Sequence, residues 1–217
     1  MKNIIIYNAK IVTPLGRTAR RGKEMRQLQI IDNAEVEVRD GVICYVGKTR
    51  NNYRDGFYNG CQYFDAKGKC LLPGFVDSHT HFVFGGERAE EFSWRLNGES
   101  YMSIMNRGGG IASTVKATRA LDFKSMRYGA ATFLERMSRM GVTTVEGKSG
   151  YGLDKETELM QLKVMRSLNE DDNKKVDVVS TFLGAHALPA EYIGRSKEYI
   201  NFLINDMLPL IKKENLD

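Results

Sequence analysis

LLPGFVDSHTHFVFGGER, residues 71–88, is the stretch on which the reading of the whole chain turns. Pro73 and Gly74 punctuate its start, Leu72, Phe75 and Val76 are strand formers, and Asp77, His79 and His81 follow in quick succession. Residues two apart on a strand share a face, so the pattern aims His79 and His81 at one point. Two of the chain's three histidines are spent here. Neutral imidazole is a ligand for zinc and iron, and a hydrolytic metal site keeps an open position where bound water is acidified. His-x-His alone also fits a polar strand end. The apolar strand before it, Asp77 two residues ahead of His79, and the Gly85-Gly86 pair after it favour a metal site.

Working outward, PGFVDSHTHFVFGGERAEEF, residues 73–92, resembles the first barrel strand of the amidohydrolase superfamily. A narrower likeness, to the imidazolonepropionase family, rests on FGGERAEEF with three later blocks: YMSIMNRGGGI from Tyr101, GVTTVEGKSGYGL from Gly141 and TFLGAHALPAEY from Thr181. The resemblance covers nearly the whole chain but about the first half of such an enzyme. It implies an α/β fold: a (β/α)8 TIM barrel of the amidohydrolase type, with only its first three β/α units in residues 71–217, preceded by the N-terminal part of a small β-sandwich domain in residues 1–70 that later strands would complete. It also implies one divalent metal ion, zinc or iron, with His79 and His81 as two of its ligands. The implied reaction is hydrolysis of the cyclic amide C–N bond of 4-imidazolone-5-propanoate to N-formimidoyl-L-glutamate, in histidine degradation. Arg88, Tyr101, Tyr151 and His186 are the implied substrate contacts. The remaining metal ligands and the general base belong, by the same resemblance, to later strands beyond Asp217, and the full-length enzyme is expected to be a homodimer acting on a small molecule.

Composition sets outer bounds. A chain of 217 residues with 42% hydrophobic and 27% charged residues is globular in type and long enough to bury a core. No apolar run is long enough to span a bilayer, and the apolar stretch in MKNIIIYNAK is too short for a signal peptide. The expected location is the cytoplasm, with no membrane partner. Cys44, Cys61 and Cys70 lack CxxC spacing and read as reduced, mostly buried thiols rather than a disulfide framework. The net charge of +5 comes partly from Arg17, Arg20, Arg21, Lys23 and Arg26. No aromatic residue interleaves with that cluster for base stacking, so it reads as a solvated loop and no nucleic-acid partner is expected.

Before residue 70 the signals are short strands and tight turns. Ile4–Tyr7 and Ile11–Thr13 are β-prone, and EVEVRDGVICYVG is a hairpin around Asp40-Gly41, with a further turn at Lys67-Gly68. After Pro73 strand and helix alternate. Met126, Ala130, Phe133, Leu134 and Met137 form one stripe of a helix over 122–140 capped by Gly141, and Val142–Glu146 follows as a strand. Asp154 is a suitable N-cap for a helix carrying Leu159, Leu162, Met165 and Leu168, with Glu156 and Glu158 near its positive end. Val176–Leu183 reads as a buried parallel strand and 196–211 as a helix interrupted near its end by Pro209. A closed eightfold barrel takes about 250 residues, more than residues 71–217 provide, so the sequence predicts a piece of a longer protein.

Functional groups in parallel α/β folds gather at the C-terminal ends of strands. Here those ends carry His79, His81 and Arg88, then Glu146, Lys148, Ser149 and Tyr151, then His186. Arg88 has a donor fork suited to a carboxylate, or it pairs on the surface with Glu87, Glu90 or Glu91. Tyr101 is equally readable as packing beside Met102 and Met105, and His186 as a hydrogen-bonded loop residue. Gly147-Lys148-Ser149 ends like a phosphate loop, but Val142 stands where that motif needs glycine. Gly108–Gly110 reads as a mobile loop rather than an anion cradle. Gly147 replaces the aliphatic residue usual between Glu146 and Lys148 in the resembled family. Two other functions stay open: hydrolysis of a different cyclic amide or amino-heterocycle, and a non-catalytic half-length unit.

Overall fold

In the first part of the chain, apolar and polar side chains alternate between turn formers, and each turn falls where the backbone needs a left-handed residue. The computed structural model describes residues 3–16 and 18–216, and it divides into two compact units, Met1–Pro73 and Gly74–Asp217. The first holds β1 (Asn3–Pro14), β2 (Leu28–Arg39), β3 (Val42–Lys48), β4 (Gly56–Tyr58), β5 (Cys61–Asp65) and β6 (Cys70–Leu71). They form one mixed sheet in the order β3-β2-β1-β5-β4, with β6 also paired to β1. Asp40 and Gly41 adopt φ of 49° and 80° between β2 and β3, as a primed hairpin turn requires.

The sequence reading separates Ile4–Tyr7 from Ile11–Thr13, but β1 runs through both. The register shifts between Ile6 and Ala9, where Asn8 takes a left-handed φ of 53°. This bulge changes the phase of the side chains, so Ile6 packs on the same small core as Ala9, Ile11, Ala34 and Val36. On β2, Glu35 is fully buried and Glu37 nearly so. Arg50 covers both, with Nε 2.5 Å from Glu35 Oε1 and Nη2 2.5 Å from Glu37 Oε2. Arg50, with Arg39 beside it, holds the Glu37 carboxyl below its usual range. Part of a β-sandwich was expected here; among the described residues the strands make a single sheet, and the segment around Arg50 covers Glu35 and Glu37 on β2. The thiols also differ from expectation. Cys44 and Cys70 are exposed and Cys61 half-buried, since they lie on short or edge strands. Of the basic cluster, Arg17 lies outside the described residues, and Arg20 donates to the Leu15 carbonyl and sits 3.5 Å from Glu24.

The second unit begins with β7 (Phe75–Thr80), followed by α1 (Ala89–Leu96), α2 (Tyr101–Asn106), α3 (Ile111–Arg119) and α4 (Phe123–Arg139). Then come β8 (Val142–Lys148), α5 (Lys155–Asn169), β9 (Asp177–Thr181), α6 (Ser196–Phe202) and α7 (Leu208–Glu214). The three strands are parallel in the order β7-β8-β9. Asp122 and Asp154 cap α4 and α5, their carboxylates accepting the N–H of Ser125 and Thr157. Met126, Ala130 and Leu134 of α4 and Leu162, Met165 and Leu168 of α5 pack on Val145 and Val178 in one core. Burial of each large side chain contributes about 1.5–3 kcal/mol relative to exposure. Pro209 falls in the first turn of α7, and residues 203–207 form the wide turn that accommodates its missing N–H. No helix among the described residues is long and apolar enough to cross a membrane.

Two loops depart from expectation. β7 stops at Thr80, so FGGER is loop rather than strand. Gly109 and Gly110 are buried rather than mobile, because the Gly110 N–H donates to the Glu91 carboxylate at 2.7 Å. The glycine run does meet an anion, and the anion is internal. Gly147 also finds its reason. A Cβ there would lie 2.6 Å from Cε1 of Phe82 and 3.1 Å from Sδ of Met165, so the Phe82 ring fills the space of the missing side chain. Gly147→Val should destabilise the chain by about 1–3 kcal/mol through overpacking, read as a lower urea midpoint, and Phe82→Leu should recover part of the loss. An unchanged midpoint in Gly147→Val would mean that Phe82 does not fill this space.

Candidate active site

Parallel pairing sets Thr80 opposite Gly147, and Gly147 opposite Ser180, so the residues just beyond these positions emerge side by side. His81 follows β7, Tyr151 follows β8, and His186 closes a short turn over Gly184–His186 after β9. The three rings meet. His81 stacks on Tyr151 with centroids 4.6 Å apart and planes at 23°, and its centroid is 4.6 Å from that of His186. Tyr151 and His186 are 5.6 Å apart, and His79 stands edge-on to His81 at 5.9 Å. A cavity of about 440 Å³ opens beside them, lined by His81, Phe84, Arg88, Thr114, Phe133 and Tyr151 among others.

The other sequence candidates are placed as follows. Arg88 precedes α1 at the cavity, and its only carboxylate neighbour among the described residues is Glu91, at a loose 3.9 Å. Tyr101 opens α2, is 56% exposed and does not line the cavity. Glu146 accepts a short bond from the Lys148 ammonium and one from the Thr181 hydroxyl at 2.8 Å. Those two bonds, Lys148 foremost, lower the Glu146 pKa. Gly147 and Lys148 spend their backbone in the ladder to β9, which agrees with rejecting a phosphate loop. Phe84 and Thr114 of the cavity were not legible in the sequence; neither sits at a strand end, and only the fold of α3 against the 82–86 loop brings them in.

The fit of a metal is decided by His81. Both of its ring nitrogens are buried and neither has a hydrogen-bond partner, a costly state for an imidazole unless something else engages them. Two neighbouring imidazoles therefore fit as part of a ligand set. Among the described residues no group of three or more His, Cys, Asp or Glu side chains is arranged to hold a metal ion, whereas catalytic zinc takes three protein ligands. Burial, followed by the nearby His186 and His79, lowers the His81 pKa from 6.5 to about 4. A histidine depressed in this way stays neutral when folded, so its contribution to stability is intact above about pH 6.5. That contribution is lost as pH falls toward 4. In the metal-free chain, the His81 ring resonances should titrate with a midpoint near 4; a midpoint near the ordinary value would mean that water reaches the ring.

No protein-family model matches the chain. An imidazolonepropionase of Bacteroides thetaiotaomicron is 67% identical over 215 residues, covering 99% of this chain and 52% of that protein. Imidazolonepropionases of Clostridium tetani and Porphyromonas gingivalis are 52% and 50% identical, each again across 99% of this chain and 51% of the relative. Among solved structures, Escherichia coli guanine deaminase superposes with a TM-score of 0.51 at 18% identity, covering 93% of this chain and 42% of that one. A 5-methylcytosine deaminase of Klebsiella pneumoniae gives 0.52 at 16% identity over 91% and 41%. These two likenesses concern the fold alone. The chain spans about half the length of the curated relatives it matches, and over nearly all of its own residues it is a homologue of the bacterial imidazolonepropionases.

Proposed function

We propose that this chain supplies part of the active site of a metal-dependent hydrolase that opens the cyclic amide of 4-imidazolone-5-propanoate, giving N-formimidoyl-L-glutamate. The observation that carries the reading is the convergence of His81, Tyr151 and Arg88 on one cavity in a chain two-thirds identical to an imidazolonepropionase. In this reading residues 71–217 are the first three β/α units of a (β/α)8 barrel, and residues 1–70 are part of a small β domain. Exposed Val42, Ile43, Val46 and Phe57 on its sheet are available to a second layer. The enzyme acts in the cytoplasm, as a homodimer when full length.

His79 and His81 would hold one zinc or iron ion, which when bound acidifies a water and polarises the ring carbonyl. Arg88 receives the propanoate carboxylate, since its guanidinium borders the cavity and Glu91 engages it only loosely. Tyr151 offers a ring face to the planar imidazolone and a hydroxyl to its polar edge. His186, exposed beside both rings though outside the cavity lining, would donate to the substrate. Tyr101 keeps its proposed contact only if α2 moves toward the cavity when substrate binds.

In a protein of the relatives' full length, His79→Ala and His81→Ala should each remove bound metal and turnover of the imidazolone together. Metal occupancy unchanged by either substitution would exclude that residue as a ligand, and turnover of a pyrimidine or guanidino compound with none on the imidazolone would defeat the substrate assignment. Arg88→Lys should raise KM about tenfold, because lysine keeps the charge and loses the fork. The penalty should vanish for an analogue without the carboxylate; if it persists, Arg88 does not bind that group.

A further inference from the structure

Beneath the ring cluster lies an acid that the proposed chemistry does not use. Glu158, in the first turn of α5, is 1% exposed. Its Oε1 accepts the N–H groups of Gly152 and Leu153, each at 2.8 Å, and both oxygens share the N–H of Gly150 at 3.1 and 3.0 Å. The Ser149 side chain neighbours the same carboxylate and favours its ionised form. Its Oγ in turn accepts the N–H of Leu183 at 3.0 Å, and the Leu183 carbonyl accepts the N–H of His186 at 3.0 Å.

A glutamate at a helix start ordinarily serves the helix dipole from solvent. This one turns back on the loop that precedes its own helix. Tyr151 is flanked in that loop by captured amides on both sides, and Leu153 is held at a φ of 56°, a costly conformation for a branched residue that persists only under such constraint. Loop and turn also abut: a Cβ on Gly150 would lie 2.7 Å from the Leu183 carbonyl oxygen and 2.8 Å from Cβ of His186.

We propose that Glu158 is a positioning residue of the substrate site: its carboxylate gathers the 150–153 amides and, through Ser149, the Leu183–His186 turn. It thereby sets where the Tyr151 and His186 rings stand against His81. The inference deepens the reading of Tyr151 and His186 as substrate contacts and rests on it.

The test uses the 217-residue chain with E158Q and S149A, each first checked for cooperative thermal unfolding. NMR then follows amide exchange at Gly150, Gly152 and Leu153 and the ring-to-ring NOEs among His81, Tyr151 and His186. E158Q replaces an acceptor oxygen with an amide donor, so exchange at the three amides should rise about tenfold or more. The Tyr151–His81 NOE should fade, while Val145 and Leu162 keep their protection. S149A cuts only the link to Leu183, so the His186–His81 NOE should weaken and the Tyr151–His81 NOE survive. A folded E158Q with wild-type exchange and NOEs would overturn the proposal. If E158Q does not fold, an unchanged His186–His81 NOE in S149A overturns it instead. In a protein of the relatives' full length, E158Q should raise KM about tenfold with kcat nearly unchanged, and the effect should shrink when Tyr151→Ala is already present. Equal KM penalties in both backgrounds count against coupling through Tyr151. If Tyr151→Ala alone leaves KM unchanged, the substrate reading of Tyr151 fails, and the exchange and NOE results alone decide the role of Glu158.

Discussion

The register of the β7-β8-β9 ladder is the constraint on which the second unit depends. With Thr80, Gly147 and Ser180 in line across three parallel strands, the loops that leave them have no freedom to diverge before they touch. The result is a cluster of His81, Tyr151 and His186 within 5.6 Å of one another by ring centroid. Gly147 is part of the same constraint. Its missing side chain leaves room for Phe82, which anchors the segment immediately after His81. Gln161 reinforces that anchor from α5, donating to the Val83 carbonyl at 2.6 Å.

Both units bury carboxylates, and they solve the problem differently. Removing an isolated carboxylate from water costs several kcal/mol, while each hydrogen bond to a charged group returns about 1.5–3 kcal/mol. Glu35 is balanced by a guanidinium, which ties the Arg50 segment to the sheet. Glu158 has no cation among its hydrogen-bond partners and relies on backbone N–H groups and the start of α5. Burial still pushes its pKa up. A cation would have neutralised the charge with one contact; amides require a particular loop conformation, which is why the 149–153 loop is rigidly specified.

The open features of both units follow from their sheets. Phe75 and Val76 on β7 and Val179 on β9 are exposed, and β7 and β9 each have one unpaired edge in the three-stranded order. Such edges and apolar faces are aggregation hazards unless covered. In the first unit exposed apolar residues fall on the edge strands β3 and β4, on β5 and at the start of β2, where Leu28 and Ile30 lie, while Arg50 closes over Glu35 and Glu37 further along β2. The half-length match to the curated relatives accords with sheets that present surfaces of this kind.

The sequence by itself determined the elements whose signals are local. Helices α4 and α5 follow from apolar stripes and Asp caps, the β2–β3 hairpin from Asp40-Gly41, and the strand ends from the switch between twofold and helical periodicity. It also singled out His79, His81, Arg88, Tyr151 and His186 as residues at or after strand ends, and the fold brings the rings of His79, His81, Tyr151 and His186 together. What it could not supply depends on how segments fold back on one another. Glu158 reads as an ordinary helix-start acid until the loop folds back on it. Gly109 and Gly110 read as part of a mobile loop until Glu91 meets them, and the two halves of β1 read as separate strands until the Asn8 bulge joins them. Whether Arg88 is paired, whether His81 keeps its nitrogens free, and whether Tyr101 reaches the cavity are questions of packing between α1, α2, α3 and the strand ends. Periodicity carries no information about such packing, because hydrogen-bond satisfaction and burial are properties of the assembled fold.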